Sequence, residues 1–282
     1  MALAKKTGNK VIIALSLLIL GVGSLTMILP FIWMVSTSLK IPGAEYSFPP
    51  ELLPIPATIG NYIELFSLDF LPYGRFFLNS IYLTAIITAG CLFFDSLAAF
   101  AFAKLRFWKR DTIFLILLSS MMLPVAVRII PLYLMMRLLH WLDTYFPLIL
   151  PRIFAGIWGT FLLRQFFLTI PDDLLDAAKI DGCSFFGMYW QIMLPLAKPA
   201  LITLAVIASL ATWNDFLQPL IYLSSLDKYT VQVGLAYLVT DYEVEWRMFM
   251  AGSTLAIVPL LLVYVFLQKH YTRGIVMSGI KG

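Results

Sequence analysis

Few residues in this sequence could carry catalytic or metal chemistry. His140 and His270 lie near opposite membrane surfaces in the predicted topology, so the two histidines cannot form a metal site or a catalytic dyad. Cys91 falls in an apolar run and Cys183 in a polar loop, which argues against a disulfide framework. The sequence also contains no Gly-Lys pair. A phosphate-cradling loop for ATP requires that pair, so an ATP-driven process would need a separate ATPase subunit.

Polar side chains inside apolar runs are the remaining candidates. Asn214 and Asp215 interrupt one run, and Asp215 lies roughly 12 Å from its outer end at helical rise. We interpret them either as hydrogen-bonding contacts to a polar molecule that passes between the apolar runs, or as residues that fix a bend or bond neighbouring helices. Asp95 interrupts another run. Asp95 could pair with a basic residue of another subunit, and we favour a structural role for it because nothing in the sequence places it on a path.

The composition indicates which elements must position these residues. Of the 282 residues, 61% are hydrophobic and 13% are charged, and the mean hydropathy is +0.88, which excludes an ordinary soluble domain. The net charge of +4 does not indicate nucleic-acid binding, because the basic residues flank apolar runs. The uncharged stretch after Lys10 is far longer than the apolar core of a signal peptide, so we predict a retained first span.

Six apolar runs have the length of about 20 residues that a transmembrane helix needs. They are residues 11–34, 76–103, 112–136, 145–167, 199–223 and 249–267. Pro124 and Pro131 interrupt the third run, so we expect its outer end to be bent. The proline-rich loop before Arg75 is predicted to be irregular, except for a short helix over residues 61–66.

The distribution of lysine and arginine predicts the orientation of the spans. Thirteen of the 20 lie at the N-terminus, the 104–110 loop, the 171–195 loop, the C-terminus or the span ends beside them. The other side holds seven, which are Lys40, Arg75, Arg128, Arg137, Arg152, Lys228 and Arg247. By the positive-inside rule the first side is cytoplasmic, so both termini and the 171–195 loop are predicted to face the cytoplasm.

The 171–195 loop has too many structural signals for a plain linker. Asp172 and Asp173 follow a proline and predict a helix start, since acids suit the positive end of a helix dipole. Gly182 permits a turn that a side chain would resist. A second amphipathic segment over residues 185–194 is predicted to stop at Pro195. The loop is therefore predicted to be a helix–turn–helix whose apolar side chains dock into another protein.

The same loop resembles the cytoplasmic "EAA" loop of ABC importer permeases. The family pattern is Glu-Ala-Ala-x-x-x-Gly, followed about a dozen residues later by a hydrophobic-x-Leu-Pro sequence, and this chain has aspartate in place of the glutamate. In the family this loop forms a coupling helix that sits in a groove of the ATP-hydrolysing subunit. The resemblance implies that residues 171–195, the coupling loop, contact an ATPase through Asp176, Ala177, Ala178, Asp181, Gly182, Leu194 and Pro195.

Other motifs resemble carbohydrate permeases, and this resemblance covers the chain from residue 11 to residue 282. They are Asn79-Ser80, residues 97–106, Ile130-Pro-Leu-Tyr133, Trp213-Asn-Asp-Phe216 and Gly279-Ile-Lys-Gly282. Within that group the chain is similar to the six-span partner of a heterodimer of the maltose and glycerol-phosphate type. The tail of that partner is associated with the ATPase dimer interface, which implies such a contact for Ser278, Gly279, Ile280, Lys281 and Gly282.

These features predict an all-α membrane protein with six transmembrane helices, which is the type I ABC importer permease fold. We expect an N-terminal segment over residues 1–75, a core permease domain over residues 76–268 and a cytoplasmic tail over residues 269–282. The expected location is the bacterial inner membrane. The resemblance implies a second permease, two ATPase subunits that bind ATP and magnesium, and an extracytoplasmic solute-binding protein.

The expected function is transport rather than catalysis, with no cofactor or metal on this chain. The expected solute is a sugar or oligosaccharide, and the alternative is glycerol phosphate or a polyol. A phosphate would need cationic groups on the path, and Arg128 and Arg152 are the candidates in this chain. A stand-alone transporter or an intramembrane enzyme would leave the coupling loop unexplained.

Overall fold

The computed structural model describes residues 2–68, 70–239 and 245–278, and in that part of the chain the regular structure is helical. Helices suit an apolar chain in a bilayer, because each helix satisfies its own backbone polar groups. The α-helices are α1 (Ala2–Ser38), α2 (Gly60–Ser67), α3 (Tyr73–Lys104), α4 (Arg110–Ser120), α5 (Val125–Leu138), α6 (Phe146–Phe154), α7 (Ile157–Leu168), α8 (Asp173–Ile180), α9 (Phe185–Met188), α10 (Leu194–Leu196), α11 (Lys198–Trp213), α12 (Leu217–Tyr222), α13 (Val231–Tyr237) and α14 (Trp246–Ser278).

The long apolar helices match the predicted spans. The first, second and sixth predicted spans fall within α1, α3 and α14, and the fourth falls on α6 and α7. By length and composition, four stretches of the described chain can cross a membrane, or six if each of two bent helix pairs is one span. The prediction of six spans agrees with the second count, but the second bent pair joins Phe185–Leu196 to α11 at 80° and does not include α12, on which the predicted fifth span ends.

Two interruptions of the spans fall where the sequence predicts them. Helices α4 and α5 meet at 98°, and the turn between them ends at Pro124, whose ring cannot continue the preceding helix. Helix α11 ends at Trp213, and α12 begins at Leu217 after Asn214 and Asp215. The predicted bend at Pro124 is confirmed, and the predicted interruption at Asn214 and Asp215 is a break between two helices. The break at Gly156 between α6 and α7 was not predicted.

The chain divides into two compact units. The first comprises Met1–Phe70 and Leu235–Ile257, and the second comprises Leu71–Gly234 and Val258–Gly282. The division into a segment, a core and a tail at residues 75 and 268 is a functional one and stays a prediction.

In the first unit, a buried arginine organises the loop after α1. Arg247 at the start of α14 is 5% exposed and donates to Asn61 and Glu64 of α2. Asn61 in turn donates to the carbonyl groups of Ser38 and Lys40 at 2.8 Å. These bonds join α2 to the C-terminal end of α1 and the N-terminal end of α14. Helix α2 confirms the predicted short helix.

In the second unit, the core lies where α3, α7 and α11 meet the coupling loop. Its buried residues are Ala99, Phe100, Ala103, Leu163, Phe167, Ile170, Leu175, Ala178, Met188, Tyr189, Met193, Ala197, Ala200 and Leu204. Residues 175–193 of this set belong to the coupling loop, so the loop shares one hydrophobic core with three helices that carry predicted spans.

Candidate functional site

The coupling loop folds as two helical segments joined by a tight turn. Helix α8 begins at Asp173 with Asp172 as its N-cap residue, so acids occupy the first turn as predicted. Gly182 follows α8 with φ of 77°, a left-handed conformation that favours glycine. Helix α9 then begins after Ser184, whose hydroxyl accepts a hydrogen bond from the amide of Gly187 at 3.1 Å. The predicted helix–turn–helix is confirmed.

The second segment runs past its predicted end. The backbone is π-helical over Tyr189–Met193, where the amide of Leu194 bonds to the carbonyl of Tyr189, and it stays helical to Leu196. Proline has no amide to donate, and a π-helical turn shifts the hydrogen-bond register just before Pro195. The predicted stop at Pro195 is therefore wrong, because the helix passes through the proline and ends one residue later.

The coupling loop buries one face and leaves an apolar face exposed. Leu175, Ala178 and the second segment contribute to the core of the second unit. On the other face, Ile180 is 87% exposed, and Phe185 and Phe186 are each 59% exposed. Single exposed apolar residues are ordinary, but these three flank one turn. The turn at Gly182 therefore carries apolar side chains that the described part of the chain leaves uncovered.

The predicted ATPase contacts divide between these two faces. Most of them are exposed, namely Asp176, Ala177, Asp181, Gly182 and Pro195, whereas Leu194 is partly buried. Ala178 is 8% exposed and packs in the core, so its small side chain lets α8 pack closely against the core of the second unit. Asp176 is paired with Lys179 at 2.8 Å, one helical turn further along α8.

Two polar contacts fasten the coupling loop to α3. The Lys104 ammonium donates to the Ile170 carbonyl at 2.6 Å and to the Asp172 carboxylate at 2.5 Å. This hydrogen bond from Lys104, with the attraction of its charge, lowers the pKa of Asp172. The hydroxyl groups of Tyr189 and Ser96 lie 2.8 Å apart in the interior. Helix α3 therefore holds both segments of the loop.

The other predicted site residues, Asn214 and Asp215, lie at the break between α11 and α12. The Asp215 carboxylate pairs with the guanidinium of Arg152 at 2.5 Å and accepts the Gln218 amide at 3.2 Å. Arg152 also donates to the Thr212 hydroxyl at 3.1 Å. Asn214 is exposed, and its side chain donates to a carbonyl of its own helix. These contacts hold the break between α11 and α12 in place, and the guanidinium of Arg152 neutralises the carboxylate of Asp215.

A cavity of about 610 Å³ in the second unit includes Arg152 in its wall. The wall is mostly apolar, and its polar side chains include Cys91, Asp95, Ser120, Arg128, Arg152, Thr212 and Gln218. A volume of this size suits a small-molecule site. The cavity brings together Asp95 and the two arginines that the sequence had offered as path candidates.

A polar cluster in the second unit joins two loops and was not predicted. Asp143, between α5 and α6, accepts the amides of Ser224 and Ser225 and the Lys228 ammonium, each at 2.9 Å. Burial opposes the charge of Asp143, but these bonds and the Ser225 hydroxyl outweigh it and hold its pKa well below the usual range. We call these four residues the Asp143 cluster. No local pattern in the sequence links residues so far apart.

The predicted tail contact falls almost wholly outside the described residues. Ser278 is the last residue of α14, and Gly279, Ile280, Lys281 and Gly282 lie beyond the described chain. Among the residues that the structure describes, no group of three or more His, Cys, Asp or Glu side chains could hold a metal ion.

Known proteins match this chain over the region that holds the coupling loop and most of the cavity lining. Residues 95–277 match the family of binding-protein-dependent transport system inner membrane components. The chain belongs to this family. It is thus a membrane permease subunit of a transport system and not an enzyme, as the resemblance of its coupling loop implied.

Two relatives that are named as oligosaccharide permeases align with most of this chain. It is 37% identical over 247 residues to an arabinooligosaccharides transport system permease protein of Halalkalibacterium halodurans, which covers 88% of this chain and 86% of the relative. The identity to the protein of the same name in Bacillus subtilis is 38% over 222 residues, or 79% of this chain and 78% of the relative. A third relative, the sn-glycerol-3-phosphate transport system permease protein of Yersinia pestis, is 36% identical over 73% of this chain and 74% of its own length.

The fold is that of a solved importer. A chain from the crystal structure of a bacterial ABC transporter involved in the import of the acidic polysaccharide alginate matches with a TM-score of 0.82. The identity is 25%, and the match covers 93% of this permease and 97% of that chain. The predicted all-α permease fold is confirmed.

Proposed function

We propose that this permease forms one half of the translocation path of an ATP-driven importer for a sugar or oligosaccharide, and that the coupling loop docks on an ATPase subunit. The observation that carries the proposal is the two-faced coupling loop. Its exposed side offers Ile180, Phe185 and Phe186, while its other side belongs to the core of α3, α7 and α11. A loop built this way can transmit a displacement of its partner to the helices, because the shared core is close-packed.

The remaining partners follow from the architecture of such importers. A second permease completes the path, an extracytoplasmic binding protein delivers the solute, and two ATPase subunits bind ATP and magnesium. Closure of the ATPase pair moves the coupling loop, and α7 and α11 follow as a lever. ATP drives this change only because it binds one conformation of the assembly better than the other. Both termini face the cytoplasm in this arrangement, and the tail from Ser278 to Gly282 contacts the ATPase interface.

The electrostatics of the cavity favour an uncharged solute. Arg152 is committed to Asp215 and Thr212, so it is not a free cation for a phosphate. Asp95 adds a carboxylate to the same wall, which would repel an anion. Two relatives are named for arabinooligosaccharides, which are neutral polyhydroxylated compounds. In this proposal Asp215 shapes the path by holding the break between α11 and α12. Asn214 remains the exposed side chain next to Asp215.

Glycerol phosphate is the second candidate, and two observations favour it. A relative at 36% identity is named for that solute. Arg128 lines the cavity with an exposed side chain, and it has no ion-pair partner among the described residues. The carboxyl group of Asp95 lies in the same wall and would not favour an anion, so we rank this candidate second.

Copurification tests the docking of the coupling loop. The chain is expressed with its neighbouring genes, and the ATPase subunit that comes down with it is quantified for the native chain, Gly182→Pro and Gly43→Pro. Proline cannot adopt the positive φ of either glycine, which is 77° at Gly182 and 87° at Gly43. We expect loss of the ATPase, or loss of coupled transport, only in Gly182→Pro. If no ATPase associates with the native chain, or if both variants behave alike, docking through this loop is wrong.

A further inference from the structure

Asp95 is a buried acid that the proposed function leaves without a role. It is 3% exposed, and no hydrogen bond or ion pair reaches its carboxylate from the residues that the structure describes. An ionisable side chain within a membrane span is costly unless a partner or water meets it. A hydrogen-bond donor from outside the described chain would therefore stabilise the Asp95 carboxylate.

The packing around Asp95 keeps space for a charged group. A Cβ built on Gly156 or Gly159 would come within 2.1 Å of a carboxylate oxygen of Asp95, so these two glycines leave the room that the carboxylate fills. Both glycines lie at the N-terminal end of α7, where the helix dipole favours a negative charge. The end of α7 thus faces the carboxylate, but no described residue donates a hydrogen bond to it.

Asp95 also lines the cavity, so a ligand in the cavity could donate a hydrogen bond to its carboxylate. The cation of Arg152 in the same wall is held by Asp215. The wall is otherwise largely apolar and includes Trp158 and Ile87, surfaces of the kind that pack against the C–H faces of a sugar ring. A sugar brings many hydroxyl donors, whereas an ionised phosphate brings acceptors and a negative charge.

We infer that Asp95 accepts a hydrogen bond from a hydroxyl group of the solute in this cavity, and that it selects neutral polyhydroxylated solutes over organic phosphates. The inference rests on the proposed function and assigns its specificity to one residue. A hydrogen bond to a charged acceptor is stronger than one to a neutral amide. Asp95 is then a specificity-determining residue, and the ion pair of Arg152 with Asp215 shapes the wall beside it.

The test uses the complete importer, with partner permease, ATPase subunits and binding protein, in proteoliposomes. Uptake of radiolabelled arabinotriose, maltotriose and sn-glycerol 3-phosphate is measured for the native importer, Asp95→Asn and Asp227→Asn. Asparagine keeps the shape of the side chain and removes its charge. Asp227 is the control, since its side chain is 50% exposed and lies 3.8 Å from Arg75. ATP hydrolysis stimulated by the binding protein is measured in the same vesicles.

We expect the native importer to take up a sugar in preference to the phosphate. Asp95→Asn should lower sugar uptake about fivefold with native ATP hydrolysis, and should lower the ratio of sugar to phosphate uptake. Asp227→Asn should match the native importer. If the native importer takes up neither sugar, or prefers the phosphate, the proposed solute class is wrong and the inference falls with it. If sugar uptake by Asp95→Asn is native, or if uptake, assembly and ATP hydrolysis fall together, the role of Asp95 alone is overturned.

Discussion

The two ends of α3 hold their neighbouring loops by different means. At the end near Lys104, the coupling loop rests on an apolar core and exposes further apolar side chains. Near the other end, Asn79 donates to the carbonyls of Asp227 and Tyr229 at 2.9 Å, in the loop that also carries Lys228 of the Asp143 cluster. The coupling loop thus exposes apolar side chains, whereas the Asp143 cluster satisfies its polar groups within the chain. The difference supports the proposal that one end docks on a partner while the other end is held rigid.

The largest effect should come from a charge on the docking side. Ile180→Asp should weaken binding of the ATPase subunit roughly 10- to 100-fold, because it removes a large apolar contact and places a charge in the interface. Binding is measured by titrating purified ATPase against the permease pair in nanodiscs. The control is Ile55→Asp, since Ile55 is 80% exposed in the loop after α1. If both variants weaken ATPase binding equally, the coupling loop does not differ from other exposed apolar residues in docking.

A smaller effect is expected at the Asp143 cluster. Asp143→Ala should lower the free energy of unfolding by about 2 kcal/mol, because several hydrogen bonds are lost and Lys228 loses its partner. Asp227→Ala, which removes an exposed pair at 3.8 Å, should cost less than about 0.5 kcal/mol. Thermal unfolding of the purified permease measures both. A native midpoint for Asp143→Ala would show that the cluster does not stabilise the fold.

The same cluster predicts a pH dependence. The folded-state pKa of Asp143 is lower than its unfolded value of about 4, so its stabilisation is present above that value and is lost as the pH falls toward the folded pKa. The difference in thermal midpoint between the native permease and Asp143→Asn should be constant from about pH 8 to pH 5 and should shrink in more acidic buffer. A difference that instead grows on acidification would contradict the assignment of the charged form.

The smallest effect should come from the link between the coupling loop and α3. Lys104→Met removes the bonds to Ile170 and Asp172 but keeps an apolar stem of similar length. The apolar core should still hold the loop, so ATPase binding should stay near native while solute uptake per ATP hydrolysed falls about threefold. The control is Lys109→Met, whose ammonium group lies over the exposed ring of Trp108. Complete loss of ATPase binding in Lys104→Met would mean that polar bonds, and not the core, seat the loop.

The coupling loop was predictable because its signals are local. The acids at Asp172 and Asp173, the turn at Gly182 and the flanking apolar residues lie within a short stretch, and each reports a backbone preference of its own neighbourhood. The bend at Pro124 and the helix break at Asn214 were predictable for the same reason. The passage of the helix through Pro195 was missed, because a π-helical turn depends on hydrogen-bond register and not on residue type alone.

The polar contacts within the second unit were not predictable, because they join residues far apart in the chain. Arg152 and Asp215 lie in two different apolar runs, and nothing in the sequence pairs them. Asp143 reads as an ordinary loop residue. Asp95 was assigned a structural role, since the sequence cannot show that its carboxylate lines a cavity and finds no partner in the described chain.

The most direct test of the central claim is site-specific photocrosslinking of the coupling loop. A photoreactive phenylalanine analogue replaces Phe185, whose side chain is 59% exposed, or Phe48, which is 94% exposed outside the loop. The assembled importer is irradiated in membranes, and the crosslinked partner is identified by mass spectrometry. The account predicts a crosslink to the ATPase subunit from position 185 and none from position 48. A crosslink from position 185 to lipid alone, in membranes where the ATPase is present and active, would contradict it.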